Sequence, residues 1–266
     1  MSQNKPVLTD EQRALQTLDV HYAMALGCSA ADLRRPAWTL VTARDDRDPM
    51  ALLFGRRTLL SLIVPRRSTP GADQGGVALV APELRAPLAG LLRDLPACDA
   101  ITLDGRRALD RIVTHGVPEH GTPMREAHLR VRYARPGVFL PYVGSWLEFI
   151  EPLDEATELE AGALSLLAHY SSGVWVVRSG DSIVSFAGIR AASPHVAEIH
   201  VRTDSEAHRG HGLANAVVSR ATRAVLASGR VPLFRHRASQ LASERLADTL
   251  GYRLYADIIE YSAPAR

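Results

Sequence analysis

The sequence predicts an α/β protein on three observations. In the C-terminal half, runs that alternate apolar and polar residues and runs with helical spacing follow one another as strand, strand, strand, helix, strand, helix, strand. A glycine-bearing loop at residues 209–214 joins a strand pattern directly to a helix pattern. The N-terminal half mixes the same two periodicities but does not repeat that loop, so two α/β domains are expected from 266 residues.

Thr9, Asp10, Glu11 and Gln12 read as a capping box, with Thr9 as cap and Gln12 reaching back. A helix is therefore expected over residues 10–26, ended by Gly27, with residues 29–32 capping a further short turn. Residues 38–42, 50–54 and 59–64 are strand-like, with an acidic turn at 45–48 and a polar glycine- and proline-bearing loop at 65–76. A strand at 77–80, a helix at 83–92, a short strand at 101–103 and a helix near 106–113 follow. Glycine- and proline-rich stretches at 114–122 and 135–144 bracket a junction placed near residue 135, giving domains 1–135 and 136–266. Beyond it come a strand at 146–150, a helix from near Asp154, and strands at 174–178, 182–190 and 195–203. The loop's helix runs to about 226, then a strand at 231–235, a helix at 240–250 and a final strand pair within 252–262.

Hydrophobic residues at 46% and charged residues at 23% are globular values, and a net charge of +2 gives no reason to expect a nucleic-acid partner. Lys5 is the only lysine, an arginine bias that fits GC-rich coding. Cys28 and Cys98 are too few for a disulfide framework and lack metal-ligand spacing, which points to the cytoplasm. The polar N-terminus has no apolar signal core, and no run approaches the roughly 18 apolar residues of a membrane helix.

The six residues Arg209, Gly210, His211, Gly212, Leu213 and Ala214 are suited to hold a phosphate. Val196 to Arg202 alternate as a half-buried strand, while Leu213, Val217, Ala221 and Val225 recur at helical spacing. The loop thus opens a helix, whose unpaired first-turn amides and dipole favour an anion. Glycines at 210 and 212 let a ligand come close to the backbone. A Walker loop is excluded because no lysine is present, and a dinucleotide fingerprint because Ala214 and Asn215 follow Gly212 and the next strand carries no acid.

The remaining pattern, Arg-x-x-Gly-x-Ala, resembles the acyl-CoA pyrophosphate loop of the GNAT superfamily of N-acyltransferases. Residues 197–203 resemble the family's fourth strand. Gln240, Ser243, Leu246, Ala247, Leu250, Gly251 and Tyr252 resemble its second signature, an Asn-x-x-Ser helix ending in Leu-Gly-Phe/Tyr. The likeness spans about residues 170–262. It implies a mixed, mostly antiparallel twisted sheet flanked by helices, with acetyl-CoA as acyl donor and no metal. Residues 209–214, Ile199, His200, Val201, Gln240 and Ser243 are then the expected CoA contacts.

Acyl transfer to a protonated amine needs a proton acceptor. Glu198, on the strand expected to line the cleft, is the first candidate, with burial expected to raise its pKa; His200, on the same face by alternation, is the second. A solvated or salt-bridged glutamate is the plain alternative. Where the family often has a tyrosine as acid for the leaving thiolate, this chain has Ala247; Ser243, water or no donor remain. His208 and His211 alone are too few to hold a metal. Arg235, His236 and Arg237 are either phosphate or substrate contacts or an exposed basic cluster. The expected activity is transfer of acetyl from acetyl-CoA to a small-molecule primary amine by direct attack. A catalytically silent CoA-binding or regulatory module and a protein lysine or N-terminal acetyltransferase are the alternatives. The N-terminal domain is expected to shape the acceptor side or support a homodimer. An acidic, enclosed cavity would indicate a small cationic amine, and an open groove a peptide.

Overall fold

The structure, a computed structural model, describes residues 8–43, 56–66, 75–116, 125–153, 167–204 and 206–264. In chain order the elements are α1 (Asp10–Leu26), β1 (Thr39–Thr42), β2 (Arg56–Pro65), β3 (Val77–Val80), α2 (Arg85–Asp94), α3 (Ala97–Ala100), α4 (Leu103–Gly116) and β4 (Arg125–Tyr133). They continue with β5 (Ile150–Pro152), β6 (Val174–Ser179), β7 (Ser182–Ser193), β8 (Val196–Thr203), α5 (Leu213–Ala227), β9 (Val231–Arg237), α6 (Leu241–Thr249) and β10 (Arg253–Pro264). The sheet pairings are mostly antiparallel, as expected, with β1–β3 and β8–β9 parallel.

The chain divides into two compact units, each made of several stretches. One comprises Met1–His21, Arg132–His236 and Gln240–Leu254; the other comprises Tyr22–Val131, Arg237–Ser239 and Tyr255–Arg266. The second unit takes the end of the chain because β10 pairs along the length of β2, from Ala256 opposite Pro65 to Pro264 opposite Arg56.

In the first unit the strands lie in the order β9-β8-β7-β6-β5. The periodic residues Leu213, Val217, Ala221 and Val225 of α5 are all buried, in one cluster with Ile189, Ile199, Phe234 and, from α6, Leu246 and Ala247. The amphipathic stripe read from the sequence is therefore the face that packs on the sheet. Tyr252, fully enclosed, shares a 2.6 Å hydrogen bond with Thr222 of α5, which ties the end of α6 to α5. Burial raises the pKa of that phenol, and the Thr222 bond only partly offsets it.

In the second unit the order is β1-β3-β2-β10-β4. Leu59, Leu60, Leu62, Ile259 and Tyr261 from its strands pack with Leu84, Leu88, Leu109 and Val113.

The capping box is present: Thr9 N donates to Gln12 Oε1 at 2.9 Å and Gln12 N to Thr9 Oγ1 at 3.2 Å. Four expectations need correction. Residues 101–103 are not a strand, because Thr102 Oγ1 accepts from Gly105 N at 3.2 Å and starts α4 instead. Residues 145–149 form a 3-10 turn, and the strand begins only at Ile150. The final strand pair is one strand, β10, with a register shift between Tyr261 and Ser262. Strand β4 was missed, although Ala127, Leu129, Val131 and Tyr133 alternate with charged residues. The strand expected at 50–54, the acidic turn at 45–48 and the helix start near Asp154 lie outside the described residues.

Candidate active site

Strands β8 and β9 run parallel for only three residue pairs, ending at Glu198 opposite Leu233. Beyond that point β8 continues to Thr203 and β9 to Arg237, and a cavity of about 480 Å³ lies between them. Ile199, His200, Val201 and Arg202 line one side and Phe234, Arg235 and His236 the other. Gln240 and Ser243 from the start of α6, with His169, Tyr170 and Phe186, complete the lining. The structure thus brings His200, Ile199, Val201, Gln240 and Ser243 to one cavity. Ile199 itself is buried in the core, so a ligand there would meet its peptide group.

Glu198 is 7% exposed and does not line the cavity. It sits directly opposite Arg190 on β7, which forms an ion pair with its Oε2. Nε of Arg235 lies 3.1 Å from Oε1, and Nε2 of His200 lies 3.4 Å from Oε2. Burial alone would raise the pKa of this carboxylate, as the sequence led us to expect. His200, Arg235 and Arg190 together outweigh burial and hold it well below the usual carboxylate range. The upward shift foreseen for Glu198 is therefore overturned. His21 of α1 also feels this carboxylate, although burial is the larger influence and lowers the His21 pKa.

Gly188 stands opposite His200 in the β7–β8 register. The ring of Tyr170 occupies the space a Gly188 side chain would need, and its centroid is 5.6 Å from that of His200. Neither Tyr170 nor Arg190 was singled out from the sequence, because each reaches the site across the sheet rather than along a motif. The glycine at 188 within an apolar strand was the available signal.

The loop has the geometry its glycines suggested. Gly210 has φ +81° and Gly212 φ +83°, a left-handed conformation that residues with a Cβ rarely adopt. Among the described residues, apart from its two chain neighbours, none comes within 4 Å of where a Cβ on Gly210 would be, so a ligand can reach that backbone. Gly212 is the N-cap of α5, and its carbonyl accepts from Ala216 N at 3.0 Å. Arg209 and His211 are exposed. Leu213 is buried in the core and Ala214 packs against it, so these two offer a ligand their backbone amides rather than their side chains. Two residues outside the motif lie beside the loop. Trp146 Nε1 donates to His211 O at 2.7 Å, and the hydroxyl of Tyr142 comes within 3.3 Å of the position of a Gly212 Cβ.

Gln240 is the N-cap of α6, without a side-chain capping hydrogen bond. Ala247, at the position where the family often has a tyrosine, is completely buried in the core. Among the described residues, no group of three or more histidine, cysteine or acidic side chains is placed to hold a metal ion, and no helix is long and apolar enough to cross a membrane.

Residues 168–261 match the family model of the GNAT acetyltransferases, so the C-terminal part of this chain carries a GNAT acetyltransferase domain. No curated protein matches the chain. Among solved structures it is similar to a GNAT-family protein from Novosphingobium aromaticivorans, at 27% identity over 56% of this chain and 70% of that one, with a TM-score of 0.45. It is also similar to a GCN5-related N-acetyltransferase-like protein from Streptococcus suis, at 19% identity over 76% and 84% of the two chains, with a TM-score of 0.42. A third similar structure, from Salmonella typhimurium, was solved with acetyl-CoA; it is 19% identical over 39% of this chain and 74% of that one, with a TM-score of 0.31.

Proposed function

We propose that this protein transfers the acetyl group of acetyl-CoA to a primary amine of a small molecule by direct attack of the amine. The observation that carries this reading is the parting of β8 and β9 at Glu198, which opens a cavity beside the strand that leads to the glycine loop. The residues present fit the donor. The amides of residues 210–214 would take the pyrophosphate at the head of α5, where the helix dipole favours it. The peptide edge of Ile199 to Val201, freed where β9 departs, would take the amides of the pantetheine arm, with Gln240 beside it.

Within the cavity His200 is the group we assign as base. It borders the space, whereas Glu198 does not, and a carboxylate held by two arginines is a weak proton acceptor. Glu198 instead positions the imidazole through the contact to Nε2. The amine nitrogen bonds to the acetyl carbon as the carbon–sulfur bond breaks; the amine proton passes to His200 and the sulfur leaves as thiolate. Neither Cys28 nor Cys98 borders the cavity, which favours direct attack over an acetyl-cysteine relay. Two unpaired cysteines also suit a cytoplasmic setting. A cavity of about 480 Å³ suits a small acceptor better than a peptide.

The test is free-thiol release from acetyl-CoA across a panel of small amines and lysine peptides. Amine-dependent release is expected with small amines. Release with peptides alone would favour a protein acetyltransferase, and CoA binding without release would favour a silent module.

A further inference from the structure

In the β7–β8 register the residue directly opposite His200 is Gly188, which brings no side chain, and β9 pairs with β8 only as far as Glu198. A side chain on a sheet ordinarily leans on its cross-strand partners, and neither of these flanks supplies one. The contact from His200 Nε2 to Glu198 Oε2, at 3.4 Å, is longer than the roughly 2.7–3.2 Å of a well-formed hydrogen bond, so by itself it does not fix the plane of the imidazole. Tyr170, from the residues that precede β6, stands in the gap. Three atoms of its ring lie within 3.0 Å of where a Cβ on Gly188 would be, closer than a real Cβ approaches another atom. Its ring centroid is 5.6 Å from that of His200, with the two planes tilted by 39°. Phe186, at 5.9 Å between centroids, and the buried Leu153, Val174 and Val176 form the apolar cluster on which the phenol packs. Burial raises the pKa of that phenol, so the ring is uncharged at neutral pH.

From this arrangement we infer that Tyr170 is a positioning residue for the base: its ring holds the imidazole of His200 at the cavity, and residue 188 is glycine to admit that ring. Glycine inside a strand weakens it, and one use that offsets the loss is the close approach of another group to the backbone. Here the approaching group takes the place of the missing cross-strand neighbour. Tyr170 and His200 both line the cavity, so the contact is made where the proton is to be taken. A base already in place when the amine arrives needs no ordering during the reaction, and a displacement of about 1 Å costs up to ~10² in rate. The role belongs to the ring, because the ring fills the space over Gly188 and meets the imidazole. The inference rests on the reading of His200 as base and adds the residue that keeps it in place.

The experiment measures thiol release with the best acceptor of the amine panel, and calorimetric CoA affinity, in the wild type, Tyr170→Phe, Tyr170→Leu, Gly188→Ala and the Gly188→Ala/Tyr170→Leu double variant. Tyr170→Leu is expected to lower kcat by ~10 to 10² while CoA affinity stays within about threefold. Tyr170→Phe keeps the ring and is expected to stay within about threefold of wild type in both. A Cβ at residue 188 displaces the ring, so Gly188→Ala is expected to lose about as much kcat as Tyr170→Leu. The double variant is expected to fall no further than either single one, since both changes remove the same contact. A kcat within about threefold of wild type in Tyr170→Leu would overturn the inference. Tyr170→Phe falling as far as Tyr170→Leu would overturn it by moving the role to the hydroxyl, and a parallel loss of CoA affinity would do so by assigning Tyr170 to the donor. Turnover that His200→Gln leaves unchanged would overturn the choice of base and this inference with it, while acetyl transfer would stand. Absence of turnover with every amine would overturn both.

Discussion

Trp146 Nε1 donates a 2.7 Å hydrogen bond to the carbonyl oxygen of His211, in the middle of the glycine loop. In a trans peptide the C=O of one residue and the N–H of the next point in opposite directions. Holding the His211 oxygen at Trp146 therefore aims the Gly212 N–H the other way, away from the indole. Residue 146 lies outside the stretch that matches the GNAT family model, so a segment outside that stretch orders the glycine loop. Trp146→Phe removes the donor and keeps a ring. CoA affinity is expected to fall about tenfold, the worth of one such bond. kcat at saturating acetyl-CoA is expected to change less than KM, and unchanged affinity would dismiss this role.

Gly212 offers a sharper perturbation at the same place. Its φ of +83° strains any residue with a side chain, and a Cβ there would meet the Tyr142 hydroxyl at 3.3 Å. Gly212→Asp adds a negative charge at the proposed pyrophosphate position. CoA binding by calorimetry is expected to fall by ~10² or more, with the near-ultraviolet circular dichroism of the fold retained. Wild-type affinity in a folded Gly212→Asp protein would remove the loop from the donor site.

Glu198 gives a pH signature with a definite sign. Its pKa in the folded protein lies below the unfolded value of about 4.3. The stability it contributes is complete above that value and is lost as pH falls toward the folded-state pKa. Glu198→Gln is expected to be less stable than wild type by about 3 kcal/mol at neutral pH, the lower end for a broken buried pair because both arginines reach water. The gap is expected to narrow below about pH 4. Urea titrations at pH 7 and pH 3.5 measure it. A gap that stays constant would mean that Glu198 is not held as an anion.

Ser243 lines the cavity, while Ala247, one turn later on α6, is enclosed in the core. A serine hydroxyl is a poor acid, and CoA thiolate is a fair leaving group. Ser243→Ala is therefore expected to lower kcat by less than about tenfold, under ~1.4 kcal/mol of barrier. A hundredfold fall at unchanged acetyl-CoA affinity would make Ser243 the proton donor to sulfur.

The parts of this site that follow the chain were legible in the sequence. Strand β8, the two glycines and the buried stripe of α5 are local patterns, and each forms where its periodicity placed it. Contacts made across strands were not legible. Glu198 is recognisable as a carboxylate on a strand, but its protonation depends on Arg190, which faces it only through the β7–β8 register, and on Arg235, which joins it where β9 diverges. Burial and charge act in opposite directions on this group, and only the positions of the two arginines decide which prevails. Trp146 was assigned to a strand because its neighbours are apolar, whereas its indole is committed to the loop 65 residues away.

Direct acetyl transfer from CoA to an amine in the cavity beside His200 is the proposed reaction. A single-turnover experiment with isotopically labelled acetyl-CoA, equimolar protein and an excess of a small-molecule amine, quenched over time and resolved by mass spectrometry, tests it most directly. The expected result is acetylated amine appearing at the same rate as free CoA thiol, without labelled protein, and slowed by ~10² to 10⁴ in His200→Gln. Labelled protein that forms before the product, or thiol release without any acetylated amine, would contradict it.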